Sequence, residues 1–233
     1  MRLIIRTVTI LLFSAMTVVG YGQDEKTDRK LTVDVGTDLV SSYVWRGLNF
    51  AGVSIQPSFS LSFYGFTVGT WGSVDFSTIE KELDLYLSYE IKGFSVSIAD
   101  YWWFEEDASY FGNKDSHHID VTLGYTFPEA FPLSLEVSTM LAGEEDKNES
   151  GKQQYSTYIA ASFPFTINNV DCELGIGISP RKGMYSDKFD VATITAKASK
   201  NLQLSSQYAL PIFAELIFSP AQDCAYLVVG VNF

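Results

Sequence analysis

The chain closes on Ala225, Tyr226, Leu227, Val228, Val229, Gly230, Val231, Asn232 and Phe233. Ala225, Leu227, Val229, Val231 and Phe233 fall on one parity, with Tyr226, Val228, Gly230 and Asn232 on the other. A side-chain period of two puts the first set on one face of a β-strand. Such a strand fits the edge of a soluble all-β domain or the wall of a membrane barrel, and the rest of the chain has to decide between them.

The opposite end bears on that choice. Arg2 and Arg6 precede an uncharged, mostly apolar run from Thr7 to Val19, and Gly20, Tyr21 and Gly22 offer a small-x-small cleavage site before Gln23. The run is too short for a membrane-spanning helix and reads as a secretory signal peptide over 1–22. Residues 23–30 then form a polar periplasmic lead-in, and 31–233 a single β domain. Without the two signal arginines, 14 basic residues face 28 acidic ones, a net charge of −14. Nucleic acid is therefore excluded as a partner, since phosphate binding needs clustered Lys and Arg. Aromatic residues make up 15% of the chain, a level suited to interfacial girdles.

Alternating segments recur throughout: Leu31 to Trp45, Val53 to Tyr64, Phe66 to Phe76, Leu83 to Ile91, Phe94 to Trp103 and His118 to Phe127. They continue with Leu133 to Leu141, Tyr155 to Phe163, Cys172 to Ile178, Asp190 to Ser199, Leu202 to Phe218 and Ala225 to Phe233, about twelve strands in all. The period blurs at Asp100 to Trp103, where a bulge is expected. Pro211 lacks a ladder donor and predicts another. The connections alternate in length. Short ones lie at Gly65, Gly93, Pro128 to Pro132, Pro164 to Val170 and Lys200 to Asn201. Longer or more polar ones lie at Arg46 to Gly52, Ser77 to Glu82, Phe104 to His117, Ala142 to Gln154, Ser179 to Phe189 and Ser219 to Asp223. Hydrocarbon satisfies no backbone hydrogen bond, so a β span must close on itself, with short turns at one end and long loops at the other. A soluble sandwich has no reason to sort its loops in this way. The expectation is a single closed antiparallel transmembrane β-barrel in the outer membrane, with short periplasmic turns and longer extracellular loops.

The inward parity then collects Asp34, Asp38, Asp84, Glu90, Asp120, Glu136, Glu173 and Glu215, with Lys92, Lys197 and Arg46 as counter-charges. These acids either hydrate the lumen and pair with the basic residues, or they build a field that favours cations. Twelve strands predict a narrow lumen, which Trp71, Tyr86, Tyr158 and Arg46 constrict further. The pore-lining set is completed by His118, the inward member of the His117–His118 pair because it shares parity with Asp120. A lumenal histidine near the rim reads as structural, and a His118–Asp120 metal site lacks further ligands. No catalytic residue, metal or cofactor is assigned. Lipid-modifying chemistry at His118 stands as an alternative, and so does a closed barrel with a structural or surface-binding role. Cys172 and Cys224 fall at opposite rims, too far apart for a disulfide. The acidic loop at Glu144, Glu145 and Asp146 reads as solvated surface, with divalent bridging to lipopolysaccharide as a lesser reading. Whether the loop from Phe104 to His117 folds inward is expected to decide between pore and plug.

The stretch Ser41-Ser42-Tyr43-Val44-Trp45-Arg46-Gly47, followed by Ile55-Gln56, resembles the TorF-type porins of Gram-negative bacteria, a family also described as bacterial proteins of unknown function, and within it a Bacteroidetes-like branch. Ser41, Tyr43, Arg46, Gly47 and Gln56 match the family pattern, whereas Ser42 replaces its usual Asp and Pro57 stands where Gly is common. The terminal aromatic is likewise similar to the closing residue that the barrel assembly machinery recognises in outer-membrane proteins. The resemblance implies passive passage of small hydrophilic solutes, with outer-membrane lipid and lipopolysaccharide as surroundings.

Overall fold

The computed structural model describes residues 31–78, 81–104, 109–112 and 115–233. The signal peptide and lead-in expected over 1–30 lie outside the described residues. Among these, the chain forms fourteen strands and one short 3₁₀ turn. Twelve strands close into one antiparallel barrel. In chain order they are β1 (Thr32–Val40), β4 (Ser54–Phe63), β5 (Phe66–Asp75), β6 (Lys81–Ile91), β7 (Phe94–Phe104), β8 (His117–Thr126), β9 (Ser134–Ala142), β10 (Thr157–Ile167), β11 (Val170–Ser179), β12 (Asp190–Gln203), β13 (Ala209–Ser219) and β14 (Cys224–Asn232). The remaining two, β2 (Tyr43–Trp45) and β3 (Leu48–Ala51), pair only with each other.

The period of two sorts the wall. Leu85, Leu87, Val96, Ile98, Leu123, Leu135, Val137, Leu174, Ile176, Leu216 and Leu227 are exposed, while alternate residues such as Asp38, Gln56, Ser97, Thr122 and Ser138 are buried. This inside-out distribution suits a wall facing hydrocarbon and a polar interior. Around the short-turn end runs a chain of ring contacts: Phe63 on Tyr64, Phe66 on Tyr89, Phe94 on Tyr125, Tyr125 on Phe127, Phe127 on Phe131 and Phe131 on Phe163. At the other end Phe76, Phe189 and Phe218 are exposed. Between them β5 runs for 10 residues. At about 3.3 Å per residue and a tilt of about 40°, such a strand spans about 25 Å, the height of an outer-membrane apolar band.

The turns explain how the hairpins close. Tyr64-Gly65, Lys92-Gly93 and Asn168-Asn169 all have positive φ, as two-residue type I′ hairpins require. The connections between β8 and β9 and between β12 and β13 are slightly longer. At the opposite end the connections over 105–116, 143–156 and 180–189 are long, as the sequence predicts, whereas 76–80 and 220–223 are no longer than the β8–β9 and β12–β13 turns at the other end.

Several boundaries differ from expectation. The turn after β12 lies beyond Gln203 rather than at Lys200-Asn201, because Lys200 and Asn201 are still paired with Ile212 and Pro211. Pro211 carries no bulge: it sits in register at the end of β13, beyond the Ile212–Val231 pair where the ladder to β14 stops. Pro164 likewise lies inside β10, past the last rung shared with β9, where a missing donor costs nothing. Asp100 to Trp103 pairs without a slip on both sides, and the register shifts fall instead at Ile119/Asp120 and Gly177/Ile178 in the barrel and at Tyr43/Val44 in the β2–β3 pair. Trp102 blurs the alternation because the outward face there is covered: it stacks on Phe104 and His117 and meets Tyr110 edge-on.

The largest departure is at the first strand. The alternation from Leu31 to Trp45 predicts one span, yet β1 ends at Val40 and the chain turns into the barrel at Ser41-Ser42. Arg46 to Gly52 is therefore not an external loop.

Candidate functional site

The segment from Tyr43 to Ala51 is a β-hairpin standing inside the lumen. Its tip is Arg46-Gly47, with φ of 49° and 85°. Positive φ at both central residues makes a tight reversal, and glycine takes the second position at no steric cost. A Cβ on Gly47 would lie 2.6 Å from Ser219 Oγ and 2.7 Å from the Ala192 carbonyl, so the tip rests against the far wall.

The hairpin is held by aromatic packing and by one charge pair. Tyr43 meets Trp71 with ring centroids 5.2 Å apart, and Trp45 meets Tyr101 at 5.4 Å and Tyr185 at 5.8 Å. Phe50 of β3 packs on Trp103 at 4.9 Å. Met140, Tyr158 and Ala192 complete the buried cluster. Arg46 donates from Nη1 to Asp120 Oδ2 at 2.9 Å and to the Tyr185 hydroxyl at 2.6 Å. Its guanidinium lies 4.4 Å from the Trp45 ring centroid and 5.4 Å from that of Tyr158. Planar stacking and a carboxylate partner are the two contacts a guanidinium makes best. Burial pushes the Tyr185 phenol up, so it stays neutral and accepts from Arg46.

At the hairpin's exit, Asp75 accepts from Gly52 N–H at 2.5 Å, Ser77 N–H at 2.5 Å, Ser77 Oγ at 2.7 Å and Thr78 N–H at 2.9 Å. On the opposite flank, Val44 packs with Val40, Phe213, Ile217 and Val228, an apolar strip in an otherwise polar lumen.

The sequence-derived candidates divide by position. Arg46, Trp71, Asp84, Tyr86, His118, Asp120 and Tyr158 surround or belong to the hairpin. Arg46 stands on the hairpin rather than on the wall. Asp84 is buried beside Glu82, which reaches the Tyr43 hydroxyl. His118 is fully buried, its ring 3.9 Å from that of Trp103 and its Nε2 on Glu145. Those contacts hold a long loop to the wall, in keeping with a structural histidine. Asp38 accepts from Asn232 Nδ2 at 2.5 Å across the β1–β14 seam. Glu136 and Glu173 line the half of the lumen below the hairpin, and Asp34 and Glu90 lie exposed near the short-turn rim.

That lower half is an open cavity. Trp45, Arg46, Tyr101 and Tyr158 border it, with Glu136, Glu173 and Glu215 among its other lining residues. Lys197 pairs in register with both Glu173 and Glu215 on neighbouring strands, and its Nζ lies 4.8 Å from the Phe213 ring centroid. With Arg46 matched by Asp120, the cavity carries three carboxylates against one remaining lysine.

The described part of the Phe104–His117 loop does not plug the barrel. His117 Nδ1 sits 2.9 Å from Asp100 and its Nε2 2.8 Å from the Tyr110 carbonyl, on the outward face of β7. The acidic loop differs from expectation at one residue: Glu144 and Glu145 are exposed, but Asp146 is fully buried and accepts from Ser156 N–H at 3.1 Å and Gln153 Nε2 at 2.5 Å. It is the hub that folds the loop, not solvated surface. Both cysteines are free. Periodicity and motif do not mark Trp45, Glu82, Tyr101 or Tyr185 as lumenal site residues, and they single out Tyr43 only through the family pattern. Glu82 shares the inward parity of Asp84, whereas Tyr185 sits in a loop where no periodicity marks an inward turn.

A model of the family described as "Bacterial protein of unknown function (Gcw_chp)" matches residues 24–227. Among solved structures, one described as KdgM porin is similar, with 11% sequence identity, a TM-score of 0.49, and coverage of 86% of this chain and 97% of that one. No curated protein sequence matches.

Proposed function

The chain belongs to the Gcw_chp family of bacterial proteins of unknown function, and from the geometry of its lumen we propose a porin-type channel of the outer membrane, closed in this state by its own first long connection. The observation that carries the reading is the position of the β2–β3 hairpin, whose tip crosses the lumen and is fastened by Arg46 to Asp120. A polar-lined barrel of twelve strands is wide enough to contain a hairpin. With the hairpin removed, its interior is wide enough for water and small hydrophilic solutes. The carboxylates below the hairpin favour cations over anions among those solutes. The Ser41 to Gly47 stretch that resembles TorF-type porins is the hairpin's own first strand and tip, so that kinship is part of the same proposal. Lipopolysaccharide and the barrel assembly machinery enter as the partners of any such barrel.

The test is conductance in planar bilayers. Replacing residues 42–51 by a short Asn-Gly turn is expected to convert a silent or rarely opening protein into a steadily conducting one. A folded deletion variant without ion current would sink the channel reading. It would favour the second one, a closed barrel with a structural or surface-binding role, which the filled lumen itself supports.

A further inference from the structure

The barrel wall is incomplete where the hairpin leaves it. β14 registers with β1 at Asp38–Asn232, Leu39–Val231 and Val40–Gly230, flanked by backbone bonds from Ser41 N–H to the Val229 carbonyl at 2.9 Å and from Phe233 N–H to the Thr37 carbonyl at 2.9 Å. Above Val229, residues 224–228 pair with β13 on one side. On the other side no strand pairs with them among the described residues. An open edge is disfavoured in a membrane protein and invites a strand.

The missing strand is present in the chain, folded inward. The β1–β4 ladder runs without a slip up to Val40–Ser54, and Tyr43–Ala51 keeps the same register three residues further on, beyond which one extra residue on β3 shifts the pairing to Val44–Asn49 and Trp45–Leu48. The hairpin is thus the upper part of the β1–β4 hairpin, bent into the lumen at Ser41-Ser42 and Gly52-Val53. Straightened, β1 would continue along β14 from the Ser41–Val229 pair and set Tyr43 opposite Leu227 and Trp45 opposite Ala225. The outward parity of Leu39 would carry on through Tyr43 and Trp45, adding a tyrosine and a tryptophan to the upper rim, where barrels keep such rings. Val44 and Arg46 would face the lumen. The unpaired edge therefore agrees with the hairpin strand in length, register and side-chain parity.

We propose that the β2–β3 hairpin has a second seat, in the wall, where it pairs with the free edge of β14 and leaves the lumen open. This deepens the closed-channel reading and rests on it: the plug is not expelled into solvent but becomes part of the barrel. Its contacts in the closed seat, Arg46 with Asp120 and Val44 with Val228, are exchanged for backbone bonds to 225 and 227.

Disulfide trapping tests this directly, with Cys172 and Cys224 replaced by serine. In the closed seat Tyr43 is buried in the lumen and Leu227 is exposed on the outer face, on opposite sides of the wall. In the wall seat they form a cross-strand pair with Cα atoms about 5.5 Å apart, within disulfide range. Tyr43→Cys with Leu227→Cys, and independently Trp45→Cys with Ala225→Cys, are expected to cross-link under oxidation. Yields should rise when Arg46→Met releases the tip, and conductance should climb with cross-linking and fall on reduction. If neither pair cross-links in folded protein carrying Arg46→Met, the wall seat is wrong, even where the hairpin deletion conducts. Cross-linking without any current upholds the second seat and overturns the channel reading instead.

Discussion

Arg46 and Asp120, 74 residues apart in sequence, meet at 2.9 Å inside the barrel, with side chains 7% and 1% exposed. One belongs to a hairpin tip and the other to the wall, so their contact fixes the position of everything between Ser41 and Val53.

Breaking this pair from one side leaves a buried charge without its partner, which costs about 3–5 kcal/mol. Arg46→Met or Asp120→Leu alone should therefore undock the hairpin and raise single-channel open probability several-fold. Replacing both with the apolar pair should restore closure, because a well-packed apolar contact loses little against a buried ion pair. A double variant as open as either single one would show that the pair is not the latch.

Gly47 offers a steric route to the same end. A side chain there meets Ser219 Oγ and the Ala192 carbonyl and must also adopt φ of +85°. The left-handed conformation costs about 1–2 kcal/mol for an L-residue, more for a β-branched one. Gly47→Val should raise conductance while leaving the barrel folded, as read by heat-dependent migration on a gel. Unchanged conductance in a folded variant would mean that the tip does not need its close approach to the wall.

Charge selectivity tests the lower lumen. In the hairpin-deleted barrel, replacing Glu136, Glu173 and Glu215 together by glutamine should move the reversal potential in a salt gradient towards that of a non-selective pore. An anion preference already present in the parent would refute a role for these carboxylates.

The two cysteines report topology. Cys224 is exposed at the long-loop end and Cys172 half-buried at the short-turn end. A membrane-impermeant maleimide added to intact cells should label Cys224 and spare Cys172. Reduction should leave gel mobility unchanged. Labelling of Cys172 alone would invert the barrel.

Much of the wall is legible from alternation, because lipid and lumen impose opposite demands on successive side chains. The inward parity of Asp84, Asp120, Glu136, Tyr158 and Glu173 follows from that rule. Errors of a few residues arise where the rule is silent: Lys200 and Asn201 look like a turn by composition, yet their neighbours extend the ladder. Pro164 and Pro211 break no strand, since a missing donor matters only on a side where a partner strand remains.

Local periodicity read against a two-sided solvent is enough to give the closed barrel, its twelve staves and the inward carboxylates. The seat of Tyr43 to Ala51 within the lumen is a matter of long-range contacts. The alternation of Tyr43, Val44 and Trp45 is the same in the wall and inside it. Which seat is taken depends on Asp120, Tyr185, Ser219 and Trp71, residues distant in sequence that the closed barrel brings to one place.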